Sequence, residues 1–171
     1  RHHLADCPYS SDGVVVDGSA AVTVRDHLIY NNGRAGIDVL GGSTALVDDA
    51  NTIYQNQDDQ VTIDGSGNTV TLTNNVIALG PQNGVTFFVG SSLSTSFNDV
   101  WGHGGSGWNG AAANPSDMSV DPSFVDPDGT DGMLGGAESA DDDFRLDSGL
   151  PSPVLDAGSA DASTIATADG L

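Results

Sequence analysis

The chain has 171 residues, enough for one domain with a core, and carries a net charge of −20 from 24 acidic and four basic side chains. All four basic residues are arginine, so no basic stripe exists to neutralise phosphates; nucleic acid is excluded as a partner, and an anionic membrane surface is an equally poor one. No apolar run approaches bilayer thickness, which excludes direct membrane insertion by a helix.

The chain opens on Arg1 and its first methionine is Met118, which reads as a processed piece with the rest of its own precursor upstream. Cys7 is the single cysteine; it pairs with a partner upstream or is a buried free thiol. Of the 24 acids, 23 are aspartate and only Glu138 is glutamate. A merely acidic surface recruits both types. Aspartate alone points to turn chemistry and to coordination of hard cations, because its short carboxylate reaches nearby backbone and suits calcium loops.

Taken in chain order, four segments repeat one pattern. They are Gly13-Val14-Val15-Val16-Asp17-Gly18, Gly36-Ile37-Asp38-Val39-Leu40-Gly41, Gln60-Val61-Thr62-Ile63-Asp64-Gly65 and Gly84-Val85-Thr86-Phe87-Phe88-Val89. Val14, Ile37, Val61 and Val85 stand 23, 24 and 24 residues apart, and Val16, Val39, Ile63 and Phe87 keep step two positions later. An offset of two puts both columns on one face of a strand. Each strand then meets a Gly/Ser corner, such as Gly41-Gly42-Ser43.

The other half of each period holds His27, Asn51, Asn75 and Asn98, each followed two residues on by Ile29, Ile53, Ile77 or Val100. Short β stretches, Val22-Thr23-Val24 and Val70-Thr71-Leu72, precede them. The second coil carries one extra residue near Leu46-Val47-Asp48-Asp49, read as a local bulge. Stacked asparagines supply donor and acceptor to turn backbone that has left the sheet ladder. His27 departs from that column and is either a structural or surface residue, or a catalytic or metal group.

A period of about 24 with short strands fits one rung of an all-β, right-handed parallel β-helix, a solenoid with a non-repeating C-terminal cap. Helical solenoids would need 3.6-residue amphipathicity, which no segment has. The coils are expected over residues 1–102 and the irregular cap over 103–171.

From Asn98 the rhythm gives way to other phrases: Asn98-Asp99-Val100-Trp101-Gly102, Asp121-Pro122-Ser123-Phe124-Val125-Asp126, Asp143-Phe144-Arg145-Leu146 and Ser152-Pro153-Val154-Leu155-Asp156-Ala157-Gly158. This ending resembles that of bacterial secreted right-handed parallel β-helix repeat proteins of the pectin-lyase-like superfamily. The resemblance covers nearly the whole chain and implies export to the extracellular space or cell surface. It transfers fold and location better than activity. A solenoid end needs a cover, and Phe124, Phe144, Leu146, Val154 and Leu155 are the expected apolar plugs. Trp101 and Trp108 either pack where coils meet cap or form a sugar-stacking platform.

Asp126, Asp128 and Asp131 surround a glycine turn, with Asp121 before them and Asp141, Asp142 and Asp143 after. Such a stretch offers oxygens for calcium, or is a plain acidic turn. Lyases of the resembled superfamily pair carboxylate-bound calcium with an arginine or lysine base. The only arginines within the coils are Arg25 and Arg34, which read as ion-pair and turn residues.

Two functional readings follow. The favoured one is a non-catalytic structural, adhesive or assembly module whose partners are other surface proteins or glycans. The alternative is a fragment of a carbohydrate-active enzyme, a polysaccharide lyase or epimerase, acting on acidic glycans. No catalytic residue is assigned.

Overall fold

A computed structural model describes residues 11–135, 140–146 and 152–159; Cys7 and Glu138 lie outside them. Among the described residues the chain makes strands only. The first coil contributes β1 (Val14–Val16), β2 (Ala21–Val24) and β3 (Leu28–Tyr30). The second adds β4 (Ile37–Val39), β5 (Thr44–Val47) and β6 (Thr52–Tyr54). The third adds β7 (Val61–Ile63), β8 (Thr69–Thr73) and β9 (Val76–Ala78). The fourth adds β10 (Val85–Phe87), β11 (Ser92–Ser96) and β12 (Asp99–Trp101). Then come β13 (Trp108–Asn109), β14 (Phe124–Asp126) and β15 (Asp143–Leu146).

Three parallel sheets run the length of the solenoid: β1-β4-β7-β10-β13, β2-β5-β8-β11 and β3-β6-β9-β12. Val14, Ile37, Val61 and Val85 are direct partners down the first sheet, as are Val16, Val39, Ile63 and Phe87. Both columns face one core; Ile37, Val39, Val61, Ile63 and Val85 are 0% exposed, whereas Val14 and Phe87 are half-buried near its ends. Each fully buried Val or Ile contributes about 1.5–3 kcal/mol. Inward Val24, Val47 and Leu72 of the second sheet and Ile29, Ile53, Ile77 and Val100 of the third complete that core.

The extra residue of the second coil is not a strand bulge. Val47 pairs with both Val24 and Leu72 without a break in register. The corner after it takes up the addition, with Asp49 (φ 52°) and Ala50 (φ 60°) both left-handed. A bulge inside the strand would turn core residues outward, whereas a corner absorbs one residue without touching the core.

Asn51, Asn75 and Asn98 stack as expected. Asn51 Nδ2 donates to Asn75 Oδ1 (2.8 Å) and Asn75 Nδ2 to Asn98 Oδ1 (2.9 Å). The same amides bond the carbonyls of Val24, Val47 and Leu72 at about one coil's remove. His27 tops this column through its backbone, whose N–H donates to Asn51 Oδ1 (3.0 Å), while its ring Nδ1 lies against the Arg25 carbonyl. At the bottom Asp117 Oδ1 accepts from both Asn98 N (2.9 Å) and Asn98 Nδ2 (3.0 Å). A carboxylate is acceptor-only, so it ends a chain of donors without needing another rung.

A second ladder lines the corner after the third sheet. Asn32 N and Nδ2 donate to Asn56 Oδ1, and Asn56 N and Nδ2 donate to Gln60 Oε1. The next coil has Gly80 at this place, where a Cβ would lie 2.2 Å from Gln60 Nε2; the glycine makes room for the glutamine amide. Gly80 N then donates to His103 Nδ1 (3.2 Å) and His103 Nε2 donates to the Ile77 carbonyl (3.2 Å). Burial lowers the His103 pKa, consistent with this neutral ring.

Among the described residues, the β14–β15 part of the C-terminal region covers the flank of the solenoid and not its end. β14 and β15 form an antiparallel hairpin that packs on the outer face of the third sheet, where Tyr30, Tyr54 and Ala78 are buried beneath Phe124 and Phe144. Phe144 lies 5.0 Å from Tyr30 and 5.2 Å from Tyr54 between ring centroids. Outward tyrosines on successive coils form an apolar strip along the solenoid, so the cover lies along its flank. Leu146 pairs with Phe124 in the hairpin, Val154 is half-buried and Leu155 is exposed. The end itself is met by Trp108, packed on the core, and by residues near Asp117 and Met118. Trp101 is half-buried at the end of β12.

Candidate functional site

Three surfaces carry chemistry. The first holds the aspartates of the C-terminal segment, which are engaged one by one. Asp141 Oδ2 accepts from the Thr130 hydroxyl (2.7 Å) and Thr130 N (2.9 Å), and the hydroxyl bond is the chief reason its pKa is lowered. Asp142 Oδ2 accepts from the Tyr30 hydroxyl (3.0 Å) and Gly135 N (2.9 Å), tying the turn to the first coil. Asp143 pairs with Arg145 (2.6 Å). Asp121 and Asp131 cap their own turns through Ser123 N and Met133 N. Asp126 and Asp128 bond the turn through backbone carbonyls, to Gly129 N and Met133 N.

A hard cation needs six to eight oxygens converging on one point. Asp141 Oδ1 and Asp142 Oδ1 are buried and have no hydrogen-bond partner, the kind of oxygen a cation would take. Among the described residues, however, no three acidic, histidine or cysteine groups stand close enough to hold a metal. The residues fit calcium in part.

The second surface is the outer face of the first sheet, where Val15, Asp38 and Thr62 are successive partners and Thr86 follows. Asp38 is the one charged residue at the middle of a strand in this row. It is half-buried, and its Oδ1 is enclosed with no partner. Its pKa is raised, first by burial and then by Asp12, Asp64 and Asp17; Arg34 opposes this. Arg34 itself pairs with Asp12 (3.3 Å), and Arg25 pairs with Asp49 (3.1 Å) and Asp48 (3.5 Å), so both coil arginines are ion-pair residues as their settings imply. The sequence did not single out Asp38, although a charge between Ile37 and Val39 at the centre of the repeated strand is a legible signal.

The third surface is the outer face of the second sheet. Down one row Ala21, Thr44, Thr69 and Ser92 are partners, and down the next Thr23, Leu46, Thr71 and Ser94. Thr73 and Ser96 start a third, their hydroxyls 3.3 Å apart. Thr23, Thr44, Thr69, Ser92 and Ser94 are exposed. Parallel pairing at constant register sets these hydroxyls on a flat lattice, with rungs about 4.8 Å apart.

No curated protein and no solved structure matches the chain. A family model described as "Right handed beta helix region" matches residues 12–120. That span takes in every coil described above, from the strand before the first ladder rung to the residues that terminate it, and the chain therefore belongs to the right-handed β-helix family.

Proposed function

We propose that this chain is a non-catalytic, rigid module that works outside the cell, holding surface proteins or glycans against the hydroxyl face of its second sheet. The observation that carries the reading is that face itself: flat, in register and rich in Thr and Ser, on a scaffold whose corners are locked by buried amide ladders. Weak, repeated hydroxyl contacts over a rigid plane suit adhesion, because little ordering is needed when partners meet. Calcium is a stabiliser in this proposal, through the unpartnered oxygens of Asp141 and Asp142.

The test is retention on insoluble neutral and uronate polysaccharides and on isolated cell-envelope material. Thr71→Lys, at the centre of the face, should lower retention about tenfold or more without changing the melting temperature. Unchanged retention would remove this face from the proposal. Asp38 favours a second reading, a carbohydrate-active enzyme using the first sheet. Release of unsaturated or reducing sugars, lost in Asp38→Asn, would establish it.

A further inference from the structure

At its C-terminal end the solenoid leaves a recess beneath the second sheet. β13 extends the first sheet under Val85 and Thr86 only. The chain then turns at Gly110 (φ 77°), so close to Phe87 that a Cβ would lie 2.2 Å from the Phe87 carbonyl oxygen. Ala111, Ala112 and Ala113 follow, and the chain regains the ladder at Met118, bonded to Asn98 and Val100. Among the described residues the second sheet therefore ends at β11. Between β11 and this loop lies a groove of about 460 Å³, within the ordinary range of small-molecule sites.

The make-up of the groove selects its ligand. Its floor is the half-buried pair Phe87 and Leu93, which end the core. Its sides are polar: Ser94, Thr95 and Asn114 line it. Ser92 N bonds Asn68 O and Asn74 N bonds Ser96 O, so the alternate residues Leu93 and Thr95 turn their backbone groups away from β8, toward the groove. None of these lining side chains is charged, and the described arginines stand elsewhere, paired with aspartates. The groove is also blind at one end. Thr95 Oγ1 donates to Asp117 Oδ2 (2.6 Å), Phe97 N to Ser116 Oγ (3.2 Å) and Asn98 N to Asp117 Oδ1 (2.9 Å), so the loop is fastened across the end of β11 and a chain cannot pass through. Its other end meets the hydroxyl face, since Ser94 both lines the groove and follows Thr71 in that face. An apolar floor with uncharged polar sides suits a sugar ring, which carries C–H bonds on its faces and hydroxyls around its edge. A uronate would bring a charge with no cation to meet it, against a net charge of −20.

We propose that the groove holds the terminal sugar of a neutral glycan, its C–H face on Phe87 and its hydroxyls on the backbone of Leu93 and Thr95. The site rests on the reading of the hydroxyl face as a glycan-holding surface, and narrows it to uncharged chains held at one end. The test is a titration of the isotope-labelled full chain with cellotetraose, mannotetraose and chitotetraose, and with tetragalacturonate as the acidic control. Amide shifts of Leu93, Thr95 and Ala112 report binding. At least one neutral sugar should give saturable shifts, and the uronate none. Ala112→Phe, at an exposed position of the loop, fills the groove and should weaken binding about tenfold or more. Phe87→Leu removes the ring and should do the same, whereas Phe87→Tyr keeps the ring and should keep the affinity. Cooperative melting shows that each variant is folded. Thr71→Lys leaves the groove intact and should keep the shifts even where it abolishes retention on polysaccharide, which separates failure of the groove from failure of the face. No saturable shift with any neutral sugar, equal shifts with the uronate or with an uncharged alanine–serine peptide, or full affinity in either Ala112→Phe or Phe87→Leu would overturn the proposal.

Discussion

Replacing Asn75 by leucine removes the middle of the buried ladder. Asn75 is 2% exposed; its Oδ1 accepts from Asn51 Nδ2 (2.8 Å), and its Nδ2 donates to Asn98 Oδ1 (2.9 Å), Val47 O (2.9 Å) and Thr73 O (3.0 Å). Leucine has a similar size and can do none of this. Asn51 Nδ2 keeps the carbonyls of Val24 and Asp48, and Asn98 Oδ1 keeps the Asn75 backbone N–H, so those losses are ordinary ones of about 0.5–1.5 kcal/mol. Val47 O loses its side-chain donor inside the core, which costs about 1–3 kcal/mol. Together the substitution should cost about 3–5 kcal/mol, measured by urea unfolding with the slope m unchanged. For a chain of this size that is a fall of roughly 2–4 °C in melting temperature per kcal/mol. A loss below about 1 kcal/mol would refute the reasoning, because it would mean that water reaches the ladder and replaces the amide.

Three further outcomes follow. Asp117 accepts from Asn98 N, Asn98 Nδ2, Thr95 Oγ1 (2.6 Å) and Asn114 N (2.8 Å), so Asp117→Asn, though isosteric, turns a donor toward donors and should cost about 1–3 kcal/mol in the same unfolding assay. Asp99 is 2% exposed and burial raises its pKa to about 6, so the stability it lends is full below its ordinary pKa of 3.8 and is lost as pH rises through about 6. Against wild type, Asp99→Asn should therefore flatten the stability profile between these pH values by up to about 3 kcal/mol; parallel profiles would show that Asp99 is ordinarily solvated. Calcium at a hundredfold above its Kd should stabilise the folded chain by about 2.7 kcal/mol relative to sodium of matched ionic strength, and identical melting curves would rule the ion out as a stabiliser.

What was legible in the sequence is what repeats. Val14, Ile37, Val61 and Val85, and the asparagines at 51, 75 and 98, sit at near-constant spacing because parallel pairing forbids drift in register, so the period is itself the fold. What escaped is what departs from the period. Asp117 follows Asn98 by 19 residues instead of 23 or 24, because after β13 the chain adds no strand to the second sheet before reaching it, and so it does not register as the last rung. The flank position of the hairpin escaped because Tyr30 and Tyr54 read as strand residues like any other; that they face outward and need cover depends on which side the neighbouring Ile29 and Ile53 take. Asp38 was passed over among 24 acids, since nothing in composition tells a half-buried carboxylate from a solvated one. The seven C-terminal aspartates were grouped by nearness in sequence, yet their partners are scattered: Ser123, Gly129, Met133, Thr130, Tyr30 and Arg145.

Nuclear Overhauser contacts in the isotope-labelled chain test whether it is a parallel solenoid with coils locked by a buried amide ladder. Contacts should link Ile37, Val61 and Val85 down one column, and the side-chain amide protons of Asn51, Asn75 and Asn98 should contact one another and exchange slowly with solvent. Strong Hα–Hα contacts of antiparallel pairing among β1, β4, β7 and β10, or asparagine amides that exchange as fast as those of exposed side chains, would contradict it.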